Sequence, residues 1–183
     1  KSESKTVFKE PQEAAIPIIL VDEQDNPIGT GTKEEVHKNG LLHRAFSVFV
    51  YDNQGRILLQ RRQLEKYHSG GLWTNACCGH PLPDGTDTSI QAQNRLVEEM
   101  GIHVEVEKLG HFIYHHRFHE ALHEHELDHV YRGLWLGDDI CPNPLEVMDY
   151  KWVTKQEIND QLVSDPKQFT AWFKGAWEIY SRL

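Results

Sequence analysis

Thr88-Ser89-Ile90-Gln91-Ala92-Gln93-Asn94-Arg95-Leu96-Val97-Glu98-Glu99-Met100-Gly101 is the clearest helix in the chain, and the fold is read outward from it. Thr88-x-x-Gln91 has the form of a capping box. Gly101 stands where a helix end favours a left-handed residue. Arg95, Glu98 and Glu99 are three and four residues apart, so they share one helix face.

On either side the pattern changes to short apolar runs divided by turn residues. Ile16 to Val21 is ended by Asp25-Asn26-Pro27 and reads as a strand. Ala45 to Tyr51 and Ile57 to Arg61 flank Asp52-Asn53-Gln54-Gly55 as a hairpin, and Leu72 to Ala76 is a further strand candidate. Beyond the helix, Ile102 to Val106, Phe112 to Phe118, Leu127 to Leu136 and Val147 to Val153 read as strands. Thr154-x-x-Glu157 opens a short helix, and Asp165-Pro166 opens a last one with Pro at its first position. Strands before, between and after a few helices predict an α+β or mixed α/β fold, a mixed sheet core flanked by helices.

A chain of 183 residues suits one domain, expected over 16–183 behind a loose polar arm at 1–15. The formal net charge of −9 argues against nucleic acid or an anionic membrane as partner. An acidic chain binds an anionic ligand only through a local basic pocket or a bound cation. No apolar run approaches the roughly 18 residues of a membrane span. The first fifteen residues lack the apolar stretch of a secretory signal. Three cysteines, two of them adjacent at Cys77-Cys78, make no disulfide framework, so the cytoplasm is the expected compartment. The sequence sets no oligomeric state.

Three segments carry candidate chemistry. In Trp73-Thr74-Asn75-Ala76-Cys77-Cys78-Gly79-His80-Pro81 a thiol sits on backbone able to turn sharply, where burial and charge tune its acidity. The bland alternative is that both cysteines are small apolar core groups. The carboxylates of Glu98 and Glu99 beside Arg95 suit Mg²⁺ and phosphate together, since hard cations take oxygen and guanidinium matches phosphate. The alternative is a solvated ion pair. Seven of the twelve histidines fall between His111 and His129. If Leu122 to Leu127 is extended, Glu124 and Glu126 point one way and His123 and His125 the other. If it is helical, His115, His119 and His123 form a ladder suited to zinc. The neighbouring Phe112-Ile113-Tyr114 and Val130-Tyr131 favour the extended form. His37 and His43 flank Lys38-Asn39-Gly40-Leu41-Leu42, a loop that brings both rings toward one point.

Together these residues closely resemble the type 1 isopentenyl-diphosphate isomerases, which use a Nudix-like fold. The motifs are Leu41-Leu42-His43-Arg44-Ala45-Phe46-Ser47, Trp73-Thr74-Asn75 leading into Cys78-Gly79-His80-Pro81, Glu124-x-Glu126, Glu146-Val147-Met148-Asp149-Tyr150 and Phe169-Thr170-Ala171-Trp172. The resemblance runs from about Ile16 to the C-terminal helix. It implies a catalytic cysteine at Cys78, with Cys77 a packed neighbour, a catalytic glutamate at Glu126 and an assisting tyrosine at Tyr114. It implies a Mn²⁺, Zn²⁺ or Mg²⁺ site of three histidines and two glutamates, His37, His43, His80, Glu124 and Glu126. A second ion, Mg²⁺, would bridge the substrate diphosphate to Glu99. Lys33, Arg62, Lys66 and Arg95 would hold the diphosphate, and Trp172 would wall the reacting carbons.

The implied reaction interconverts isopentenyl and dimethylallyl diphosphate by protonation and deprotonation through a carbocation, as part of isoprenoid biosynthesis. The implied partner is a small prenyl diphosphate. Two departures stand out. Asn94-Arg95 replace the Arg-Glu of a hydrolytic Nudix box, and Ala171 stands where many relatives have Pro. The competing readings are a Nudix hydrolase of a nucleoside or prenyl diphosphate, and a histidine-rich zinc-binding protein.

Overall fold

The computed structural model describes residues 16–183, so the expected arm at 1–15 lies outside the described residues. The elements run β1 (Ile18–Val21), β2 (Pro27–Gly31), α1 (Lys33–Asn39), β3 (His43–Tyr51), β4 (Ile57–Arg62), β5 (Trp73–Thr74) and β6 (Cys77–Gly79). Then come α2 (Thr88–Met100), β7 (Glu107–His119), β8 (Leu122–Leu134), β9 (Val147–Val153), α3 (Lys155–Ser164), a 3-10 turn (Pro166–Gln168) and α4 (Phe173–Tyr180).

Strand β3 is the hub. It runs parallel to β8 over its whole length, from His43 opposite Glu126 to Tyr51 opposite Leu134. Along its other edge it meets β1 at His43, β6 at Phe46, Ser47 and Val48, and β4 at Tyr51. Both faces of β3 are buried. Phe46, Val48 and Val50 pack with α2 through Ala92, Leu96 and Met100, while Phe49 packs with Phe173 and Trp177 of α4. The sheet is mixed and covered on both sides, which is why its central strand is an almost unbroken apolar run.

Helix α2 forms where its capping and apolar spacing predict, but its N-cap is Asp87, which accepts a hydrogen bond from Ser89 N at 3.4 Å. Thr88 is therefore the first helical residue and the capping box is not used. Gly101 ends the helix at φ +69°, and a Cβ added there would lie 2.9 Å from Cys141 O. Left-handed backbone and close approach both require glycine.

The structure corrects several sequence expectations. Ile102–Val106 forms no ladder; Ile102 is buried, and Val104 and Val106 pack against the α2 core without a partner strand. Only Trp73 and Thr74 of the 72–76 segment are laddered, because Asn75 turns the chain and donates to the carbonyls of Val48 and Cys77. Asp165-Pro166 opens only the 3-10 turn. Phe169 then bridges to Trp73 and Thr170 N donates to Trp73 O, which pulls the chain straight before α4 begins at Phe173. The hairpin at 45–61 is splayed, since β3 and β4 pair only at Tyr51 and Ile57 while β6 occupies the β3 edge. The long antiparallel β7–β8 pair overrides the helical alternative for His115, His119 and His123.

Candidate active site and metal centre

The site is assembled where β3, β6 and β8 meet. Alternation along β8 buries Glu124 and Asp128 and leaves Glu126 half-buried on the same face, while His123 and His125 turn to the other. Helix α1 lies against this face and delivers His37 in its last turn. It starts from a full capping box, Thr32 with Glu35, and ends at Gly40 in a left-handed conformation. Strand β3 starts with His43, and β6 leads directly into His80.

His37 Nε2 lies 2.8 Å from Glu124 Oε2. His43 Nε2 is 3.8 Å from Glu124 Oε1 and 3.6 Å from Glu126 Oε2, and His80 Nε2 is 3.2 Å from Glu126 Oε2. The ligand atoms of His43, His80, Glu124 and Glu126 all fall within 4.8 Å of one another. His43 hydrogen-bonds Leu41 O through Nδ1 at 2.9 Å, which leaves Nε2 for the cluster. That Nε2, both ring nitrogens of His37 and Glu124 Oε1 are buried without a hydrogen-bond partner. Buried polar atoms left open carry a large penalty. Imidazoles and carboxylates converging this way fit a divalent cation, whose bonds would satisfy those atoms. Burial alone would raise the Glu124 carboxyl, but His37 and His68 outweigh it and hold it well below the usual carboxylate range. Burial lowers His43, yet its contacts with Glu126 and Glu124 leave it raised.

Cys78 lies on the same strand network, with Ser47 its cross-strand partner. Its Sγ receives Trp172 Nε1–H at 3.2 Å and Asn75 Nδ2–H at 3.4 Å, and lies 3.7 Å from Ser47 Oγ. Burial pushes the thiol from its ordinary 9.0 up to about 12. The nearby Asp128 carboxyl adds to this as the next largest cause, and that carboxyl is itself raised by burial and by Glu126. Cys77 is buried on the opposite face among α2 residues, where burial raises it as well. Tyr114 stands directly opposite Glu126 in the β7–β8 ladder, with its ring edge toward Trp172 at 6.3 Å. Its hydroxyl is buried without a hydrogen-bond partner and, through burial first and Glu126 next, keeps its proton far into the alkaline range. Trp172 is the N-cap residue of α4, without a side-chain cap hydrogen bond, and its ring turns to Cys78.

The four expected diphosphate cations sit around the segment after β4. Lys33 Nζ lies over the Tyr67 ring at 4.8 Å, and the Arg62 guanidinium over the Trp172 ring at 5.2 Å. Lys66 pairs with Glu146, and the same oxygen is 3.3 Å from Arg95 Nη2. Arg95 also reaches Glu98 at 3.0 Å and Glu99 at 2.5 Å, while Gln60 donates to Glu99 at 2.9 Å. Glu99 is buried beneath these groups. Sequence reasoning missed Glu146 as the shared anion and missed His68, a lone histidine in a polar glycine-rich stretch that carries no motif. It also missed α1, although Thr32-x-x-Glu35 and Gly40 signal it. Neither of two surface grooves, about 470 and 530 Å³, holds Cys78 or Glu126.

Residues 41–173 match the NUDIX domain family. The isopentenyl-diphosphate Delta-isomerase of Serratia proteamaculans is 48% identical over 156 residues, covering 85% of this chain and 86% of that protein. Isopentenyl-diphosphate Delta-isomerase 2 of Photorhabdus laumondii is 47% identical, covering 86% of this chain and 88% of that one. Among solved structures, DR0079 from Deinococcus radiodurans superposes with a TM-score of 0.70 at 16% identity, covering 90% of this chain and 98% of that one. The MutT protein of Methanosarcina mazei has a TM-score of 0.64 at 19% identity, over 77% of this chain and 94% of that one. At such identities the structures speak for the fold alone.

Proposed function

The chain belongs to the Nudix-domain family and, within it, to the isopentenyl-diphosphate Delta-isomerases, and on that premise we propose that Cys78 and Glu126 form its acid–base pair. It is an isomerase that interconverts isopentenyl and dimethylallyl diphosphate by a reversible 1,3-shift of a proton. An unactivated alkene is a very weak base. One group must therefore deliver a proton to the terminal carbon, and another must remove one from the carbon beside the oxygen-bearing methylene. The observation that carries the assignment is the placement of Cys78: a desolvated thiol held by Trp172 and Asn75 on the strand that leads into His80.

Glu126 is the second group. His43 and His80 fix its carboxyl from one side, and Tyr114 faces it across the ladder as a proton-bearing assistant. The indole of Trp172 covers positive charge on the reacting carbons, worth roughly 2 kcal/mol or more in the absence of water. Lys33, Arg62, Lys66 and Arg95 anchor the diphosphate, which holds the short hydrocarbon tail between acid and base. His37, His43, His80, Glu124 and Glu126 would hold one divalent ion, and Glu99 would hold Mg²⁺ for the diphosphate; each would supply positive charge against the substrate's anionic groups. With Asn94-Arg95 near the places of the Arg-Glu of a hydrolytic Nudix box, the helix keeps Glu98 and Glu99 but lacks the full carboxylate set for hydrolysis, which favours a diphosphate left intact.

Proton NMR of isopentenyl diphosphate in D₂O with the protein and Mg²⁺ tests this reading. Loss of the terminal alkene signals with deuterium entering the product is expected. Release of inorganic phosphate would instead indicate a Nudix hydrolase.

A further inference from the structure

His68 lies in the segment between β4 and β5, outside the acid–base pair, the ligand set and the diphosphate-binding groups, yet it is held from all sides. Arg62 Nη2 donates to its backbone carbonyl at 3.0 Å. Its Nε2 is 2.8 Å from Glu124 Oε2 and its Nδ1 is 3.0 Å from Ser69 Oγ. An ionised carboxylate only accepts, so Nε2 carries a proton toward Glu124, and in the neutral ring Nδ1 then accepts from the Ser69 hydroxyl. The ring stacks on Phe118 at 4.8 Å and stands edge-on to Trp172 at 5.9 Å.

The backbone around it is equally constrained. Ser69 adopts φ +59°, a left-handed conformation uncommon outside glycine. A Cβ on the next residue, Gly70, would lie 2.3 Å from Leu64 O. Strained backbone of this kind persists where surrounding contacts over-determine it, and such places cluster at working sites.

Two imidazoles approach the same oxygen of Glu124 at 2.8 Å, but they do so differently. His68 makes an aligned hydrogen bond. His37 does not, and both of its ring nitrogens remain buried and unpartnered. His37 has the approach of a fellow ligand, His68 that of an outer partner that donates to a ligand. We propose that His68 is a positioning residue for the metal-ligating carboxylate of Glu124. By holding Oε2, it turns Oε1 toward His43 and the interior of the cluster, and its ring ties that carboxylate to the wall formed by Trp172. This inference rests on the reading of the His/Glu cluster as a divalent-metal site.

The test is Mn²⁺ affinity of the full chain without substrate, measured from the free-ion EPR signal. His68→Leu fills the space between Phe118 and Trp172 but donates nothing, and is expected to weaken Mn²⁺ by about 10- to 100-fold. His68→Gln, whose amide N–H occupies the place of Nε2–H, should recover most of that loss. A role in packing alone would lower the melting temperature of both variants and leave Mn²⁺ affinity unchanged, which overturns the proposal. Complete loss of the ion in both would make His68 a ligand, which also overturns it. If His68→Leu does not fold, Ser69→Ala decides; it removes only the hydroxyl on Nδ1, and wild-type affinity there counts against positioning. His43→Ala is the control for the underlying reading. If His43→Ala binds Mn²⁺ normally, the cluster is not the metal site; if it alone loses the ion, only the role of His68 fails.

Discussion

Two regions of the molecule are rich in histidine, and they behave in opposite ways. Between His111 and His129 seven histidines crowd one hairpin, and this is the most conspicuous feature of the sequence. Yet the histidines that contact Glu124 or Glu126 among the described residues are His37, His43, His68 and His80, each taken from a different part of the chain. In the hairpin His115 stacks on His125 at 4.4 Å and lies 6.1 Å from His123, on the face turned away from the carboxylates. Strand alternation sets His115, His123 and His125 one position out of phase with Glu124 and Glu126, and the candidate metal cluster takes its imidazoles from outside the hairpin. Density in sequence is not convergence in space.

The comparison can be broken most sharply at the inner carboxylate. Glu126→Gln keeps shape and removes the acid–base group, so turnover by the NMR assay should fall by about 10³-fold or more. Cys78→Ala should match it, whereas Cys77→Ala, on the α2 side of the sheet, should retain most activity. A dead Cys77→Ala enzyme would place the chemistry on the wrong face of β6. Next in size, His43→Ala leaves two carboxylates short of a buried partner. Metal analysis should show loss of the inner ion, and thermal unfolding a destabilisation of about 3 kcal/mol.

A smaller effect sharpens the contrast through pH. The Cys78 thiol retains its proton from the ordinary 9.0 up to about 12, so the reactive thiolate is scarce at neutral pH. Its alkylation by iodoacetamide, followed by peptide mass spectrometry, should keep rising with pH past about 10 without levelling. The same shift sets the sign for stability. Between 9.0 and about 12 the unfolded thiol ionises and the folded one does not, so this contribution is complete below pH 9.0 and declines as pH rises through that window. Least of all should change at the outer histidines. His115→Asn and His125→Asn should leave turnover and metal content as they are and move stability by no more than about 0.5 kcal/mol. Loss of the ion from His125→Asn would erase the distinction between the two regions.

Much of this was legible in the residues. The α2 helix and its glycine stop, the strand at Val147–Val153 and the extended form of Leu122–Leu127 follow from capping and period, because those signals are local. The outward and inward division of Glu124, Glu126, His123 and His125 follows from the two-residue repeat alone. β2 was not legible: Pro27-Ile28-Gly29-Thr30-Gly31 is largely exposed and has no apolar alternation to read. Ile102 to Val106 has the alternation but no partner, because its apolar residues are satisfied by a helix rather than by a strand.

Sequence by itself determined the family, the reaction and the residue types the chemistry needs, since motifs in a fixed order carry that information without any contact being known. Tertiary structure alone decided which nitrogen meets which oxygen. His68 had no motif and no periodic neighbour to mark it. Only the packing of a strained loop against β8 brings its N–H to Glu124, because a hydrogen bond depends on direction through space, which spacing along the chain does not encode.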